Sequence, residues 1–92
     1  MTTVSVQSVY HQDPGHGWLV VTHLQLELVG LKPTDFTDFS YKDGKGRYAL
    51  EEDCDMPKFI AAAQDKEIGV ELKRKVTNGD SPIRSWRSIN EG

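Results

Sequence analysis

The sequence predicts an α+β domain: a small antiparallel sheet in the order ββα-ββα-ββ, with two helices packed on one face. Three observations predict it. Stretches with period-two alternation recur in pairs around glycine-rich turns, and two other stretches carry helix end signals and a helical apolar stripe. The 92 residues are enough for one domain that buries a modest core without disulfide or metal. Residues 1–92 are therefore read as a single domain.

The first element, "TVSVQSVYHQ", is rich in Val and Tyr and reads as a strand. "DPGHG" stops it, since Pro14 fixes its own φ and Gly15 and Gly17 permit positive φ, which specifies a turn. "WLVV", from Trp18 to Val21, returns as the second arm of a hairpin. "THLQLELVGL" is ambiguous. Leu24, Leu26 and Leu28 alternate as in a strand, whereas Leu24, Leu28 and Leu31 form one helical stripe. Thr22 with Gln25 matches a capping box and Gly30 suits a left-handed C-cap, so a short helix is predicted over 23–29.

"FTDFSY" and "RYALEE" predict a second strand pair around Asp43-Gly44-Lys45-Gly46. Phe39 and Tyr41 share a face of the first, Tyr48 and Leu50 a face of the second. "MPKFIAAAQDKEI" predicts a helix with Met56, Phe59, Ile60 and Ala63 in one stripe and Gly69 as its stop. "VELKRKV" sets Val70, Leu72 and Val76 against Glu71, Lys73 and Lys75. After an Asn78-Gly79 turn, "PIRSWRSI" predicts a last short strand.

With 37% hydrophobic and 27% charged residues, the composition is that of an ordinary globular protein. One cysteine, Cys54, excludes an internal disulfide and suits a reducing compartment. No apolar run approaches the roughly 20 residues that span a bilayer. The first residues do not read as a signal peptide either, so a cytoplasmic location is expected. Charge is uneven: residues 1–42 carry a net −2, residues 43–72 a net −4 and residues 73–92 a net +3.

The acidic centre, Glu51-Glu52-Asp53-Cys54-Asp55, reads as a helix N-terminus. Asp55 is expected to cap, Pro57 sits in the first turn, and Glu52 and Asp53 lie near the positive end of the helix dipole. Capping leaves Glu51 unexplained. A metal needs converging ligands, and an extended chain sends Glu51 and Asp53 one way and Glu52 the other. One face thus offers at most two carboxylates, enough for magnesium only together with substrate phosphates. No glycine-rich phosphate loop accompanies the cluster, and Cys54 has no second cysteine for zinc. His11, Asp13, His16 and His23 match no ligand spacing. A nucleophile pair of His16 with Cys54 or Ser8 lacks an elbow or oxyanion-hole motif. Neither a cofactor nor a metal is expected, and the chain is not expected to be an enzyme.

The binding candidates are His16 and Trp18 around the first turn, the acidic Glu51, Glu52 and Asp53, and the basic Lys73, Lys75, Arg84 and Arg87. The mix of cations with Trp86 is of the kind nucleic-acid surfaces use. Alternation separates Arg74 from Lys73 and Lys75, however, and a pI of about 5.5 disfavours phosphate binding.

The stretches "DPGHGWL", "DFSY", "YALEEDCD", "FIAAA" and "SPIRSW" together resemble a group of small uncharacterised proteins encoded by bacteriophages and other bacterial mobile elements. The likeness runs from about Asp13 to Trp86. Two departures are Ala49, inserted before Leu50, and Trp86, where tyrosine is usual. The resemblance implies a bacterial host cell and carries no catalytic residues. It implies a non-enzymatic protein that binds a host protein or nucleoprotein complex, such as an anti-defence inhibitor of a CRISPR effector. Nucleic acid is the less favoured partner, no membrane is expected, and a homo-oligomer stays open. The alternative is a small-molecule or nucleotide-binding module, or a weak metal-dependent hydrolase, using His11, His16 and the 51–55 carboxylates. That alternative requires the two stretches to meet in space.

Overall fold

In the computed structural model, which describes residues 4–91, β1 (Ser5–Gln12) and β2 (Gly17–Thr22) form the first hairpin. Helix α1 (His23–Val29), β3 (Tyr41–Lys42), β4 (Arg47–Glu51) and helix α2 (Met56–Asp65) follow. The chain ends with β5 (Gly69–Val76) and β6 (Arg87–Ser88), and short 3₁₀ turns occupy Pro33–Asp35 and Pro82–Ser85. Thr3, where the predicted first strand begins, lies outside the described residues. Among the described residues no helix is long and apolar enough to cross a membrane.

The six strands make one sheet in the order β5-β1-β2-β4-β3-β6. Four of the pairings are antiparallel, but β1 and β5 run parallel from Ser5↔Gly69 to Gln12↔Val76. The sheet is therefore mixed, which corrects the antiparallel one predicted. The cause is the length of α2. A helix of 10 residues carries the chain back along the sheet, so β5 starts from the same end as β4. A tight turn there would have reversed it.

Two cores use the two faces of the sheet. On one, Val6, Leu19, Val21 and Leu50 meet Leu26 and Val29 of α1 and Phe59 and Ala63 of α2. Both helices thus cover the same face. On the other, Trp18 and Ala49 pack with Ile83, and Val20, Tyr41 and Trp86 close around them.

Helix α1 has the predicted ends. Thr22 Oγ1 accepts from the Gln25 N–H at 3.1 Å, Gln25 Oε1 accepts from the Thr22 N–H at 3.0 Å, and Gly30 is left-handed at φ 81°. Its buried face is not the Leu24–Leu28–Leu31 stripe that helical spacing picks out. Leu26 and Val29 are inside, while Leu24 is 74% and Leu28 44% exposed. Caps fix where a helix starts and stops, but its rotation follows from docking on Leu19 and Val21. In α2 the predicted stripe holds, with Phe59 and Ala63 buried and Met56 and Ile60 packed beside them. The left-handed residue that ends the helix is Glu67 at φ 58°, whereas Gly69 simply opens β5.

Asp55 stands at the N-cap position of α2, yet its side chain makes no capping bond. Its backbone is already helical there, not extended as a capping residue requires. The carboxylate is fully buried and accepts from the Thr37 N–H at 3.0 Å, from Thr37 Oγ1 at 2.8 Å and from Ser40 Oγ. Lys58 Nζ lies 3.3 Å away. These bonds curl residues 37–40, so "FTDFSY" gives a strand of only Tyr41–Lys42 and leaves Phe39 in a turn. Likewise Ser81 Oγ accepts from the Ile83 N–H, so "PIRS" winds into a 3₁₀ turn and the last strand is only Arg87–Ser88. Gly15 and Gly17 do not have positive φ. Gly17 is small because the Tyr10 hydroxyl fills the place a Cβ would take.

A cap tolerates asparagine, but a carboxylate surrounded by donors does not. Asp55→Asn turns an NH₂ group toward Thr37 or Ser40 and is expected to cost about 1–3 kcal/mol, read from urea unfolding of both proteins. A loss of only a few tenths would return Asp55 to a capping role.

Candidate functional site

The open face of the sheet is organised by Asp13, in the β1–β2 turn. Its buried carboxylate accepts from the Gly15 and His16 N–H groups at 3.0 and 2.9 Å, which shapes the turn. It also accepts from the Ser81 N–H at 3.0 Å and takes Arg84 in a fork, with Nε at 2.6 Å and Nη2 at 3.0 Å. The bond to Arg84, then that to Ser81, holds the Asp13 carboxyl well below the usual carboxylate range, and Asp13 in turn raises Arg84. This clamp lays the guanidinium of Arg84 over the Trp18 ring, 5.4 Å from its centroid.

Beside Trp18 lies a pocket of about 270 Å³. Strand register builds its floor: Trp18 of β2 is opposite Glu51 of β4, and Tyr41 of β3 is opposite Ala49. The Trp18 and Tyr41 rings meet edge to face at 6.2 Å. Turns supply the rim, with His16 before β2, Phe39 before β3, and Asp53 and Cys54 after β4. Phe39 is 64% exposed. The Trp18 Nε1–H is buried and has no acceptor among the described residues, a cost of about 1–3 kcal/mol.

The acidic stretch divides among three environments. Glu51, which capping left unexplained, shapes the turn that precedes α2: its Oε2 accepts from the Asp53 and Cys54 N–H groups at 2.9 and 2.8 Å. Glu52 turns to the helical face and accepts from the Tyr10 hydroxyl. Burial, followed by that bond, pushes Tyr10 up to about 12. Asp53 stays at the pocket rim. Cys54 is exposed as a residue, yet partial burial of the thiol and then Glu51 raise its pKa above the ordinary value.

His16, Trp18, Glu51, Asp53 and Arg84 therefore come together, whereas the remaining candidates do not join them. Lys73 and Lys75 sit on edge strand β5 and Arg87 on β6, at opposite edges of the sheet. His23 pairs with Glu27 at 3.1 Å on α1. His11 lies opposite Lys75, and burial, then Lys75 and Arg47, depress its pKa. Among the described residues no three His, Cys, Asp or Glu side chains converge as metal ligands would. Sequence reasoning missed Phe39 and Tyr41 as pocket residues, although it had placed them side by side. It missed the Asp13–Arg84 pair entirely, because nothing local marks two residues so far apart in the chain.

Two titrations give acid sensitivity with one sign. Asp13 has a folded pKa below its ordinary 3.8, so its contribution is complete above that value and is lost as pH falls below it. His11 has a folded pKa below 6.5, so protonation of the unfolded chain withdraws stability as pH falls through that value. Denaturant unfolding across the acid range should show both steps. His11→Gln should remove the upper one, and Arg84→Met should lower stability at neutral pH and flatten the lower one. Separately, the Cys54 thiol should react with a maleimide at neutral pH more slowly than a free cysteine. Its rate should climb steeply only near or above pH 9.0, with Asp53→Asn giving faster reaction.

No family model, curated protein or solved structure matches this chain.

Proposed function

We propose that this chain is a non-enzymatic binding protein that acts by occupying a macromolecular partner. In the setting the sequence resemblance implies, the partner is a host protein or nucleoprotein complex of a bacterial cell, and anti-defence inhibition is the role that fits. One observation carries the reading. Phe39 stands 64% exposed at the mouth of a pocket walled by Trp18 and Tyr41. Aromatic side chains gathered around a small cavity are the usual anchor of a protein–protein contact. The groups a reaction would need are already engaged: Asp13 by Arg84, Asp55 by Thr37 and Ser40, and Glu51 by the 53–54 backbone.

The second reading, a small-molecule or nucleotide site, draws on the same pocket, because His16, Glu51 and Asp53 do line it together. Two carboxylates at about 270 Å³ suit a small cationic group and oppose a nucleotide phosphate. The site favours a side chain over a nucleotide.

Affinity purification from bacterial lysate with the wild-type chain and with Phe39→Asp tests the proposal. The exposed position lets Phe39→Asp keep the fold, which thermal melting checks. A partner retained by wild type at low and moderate salt and lost by Phe39→Asp is expected. Retention of nothing, or retention indifferent to Phe39, would overturn the reading.

A further inference from the structure

We propose that the Trp18–Tyr41–Phe39 pocket is a seat for one arginine side chain presented by the partner protein, an inference that rests on the binding reading above. Three properties of the pocket select this ligand. Its volume of about 270 Å³ lies just below the range that takes drug-sized molecules, and fits a single side chain. Its charge is negative: Glu51 and Asp53 face it, while the one cation in its wall, Arg84, is neutralised by the Asp13 fork. Its walls are aromatic, and cations are drawn to aromatic faces.

The molecule already contains the arrangement proposed for the ligand. Arg84 lies 5.4 Å over the Trp18 ring and pairs through two nitrogens with one carboxylate. An incoming guanidinium would repeat this on the neighbouring surfaces, stacking against Tyr41 and Phe39 and pairing with Asp53. Arginine is favoured over lysine for a physical reason. A guanidinium is planar, weakly hydrated and able to stack and fork at once, whereas an ammonium is a strongly hydrated point charge.

The test is a titration with N-acetyl-arginine amide, followed by heteronuclear NMR, with the Trp18 indole N–H as reporter. N-acetyl-citrulline amide, which is neutral and nearly isosteric, and N-acetyl-lysine amide are the comparison ligands. A saturable shift of the Trp18 signal is expected with arginine. Binding should be about tenfold weaker with citrulline, equivalent to about 1.4 kcal/mol, and intermediate with lysine. Asp53→Asn, at an exposed position, should weaken arginine about fivefold while leaving the melting temperature unchanged. Equal binding of citrulline, equal binding of lysine, indifference to Asp53→Asn, or no saturable shift would each overturn the arginine seat. Lysate capture separates the two readings. A partner held equally by wild type and Asp53→Asn removes the arginine seat and leaves the binding function standing. Arginine binding without any captured partner overturns the binding function, and with it an arginine presented by a partner, and leaves only an affinity of the pocket for the free side chain.

Discussion

The Asp13 carboxylate ties the first hairpin turn to the 3₁₀ turn at 82–85 and, through Arg84, holds that turn over the open face of the sheet. The second core depends on this tie. Ile83 and Trp86 reach Trp18 and Ala49 because the segment that carries them is anchored at Ser81 and Arg84. Without the anchor, one side of the sheet would lose its cover and the pocket one of its walls. Burying a carboxylate is costly, and here two backbone groups of its own turn, a third from Ser81 and a guanidinium offset that cost together.

Asp55 solves the same problem on the other side of the pocket. It gathers Thr37 and Ser40, and Ser40 Oγ in turn accepts from the Glu51 N–H at 3.0 Å. The turn bearing Phe39 and the turn bearing Asp53 are thereby joined through one hydroxyl. Two buried carboxylates, each binding segments far apart in sequence, set the turns that carry His16 and Phe39, and a third, Glu51, fixes the turn that carries Asp53 and Cys54. The acidic character of the middle of the chain is thus partly internal scaffolding, and only Asp53 and Glu51 contribute it to the pocket.

What the sequence made legible was local. The capping box at Thr22 and Gln25, the αL glycine at 30 and the Asp43–Gly46 loop each depend on neighbours within four residues, and each formed as expected. The order of elements and the placing of both helices on one face followed from periodicity. What stayed hidden was set by distant partners. Leu24, Leu28 and Leu31 made a helical stripe on paper, but helical spacing does not state which stripe docks, and Leu26 and Val29 are the buried pair. The β1–β5 pair was invisible because strand direction depends on how far α2 carries the chain. At the site, His16, Trp18, Glu51 and Asp53 were named from composition, whereas the Asp13–Arg84 clamp that makes a pocket of them joins two ends of the molecule. Asp55 was misread for the same reason: its partners lie 15 to 18 residues earlier.

The parallel pair of β1 with β5 has a consequence for the order in which the chain can mature during synthesis. Emerging from its N-terminus, it can form β1, β2 and β4 as an antiparallel ribbon with α1 laid across it. Through all of that time the outer backbone of Ser5–Gln12 has no partner, since its partner is the stretch 69–76. An unpaired strand edge is a template for foreign strands, and contacts between distant residues are slow to close. The nascent chain is therefore most exposed to mispairing just before residues 69–76 leave the ribosome. Arrival of β5 ends that exposure and puts Lys73, Arg74 and Lys75 on the new edge, where charge discourages any further strand from adding.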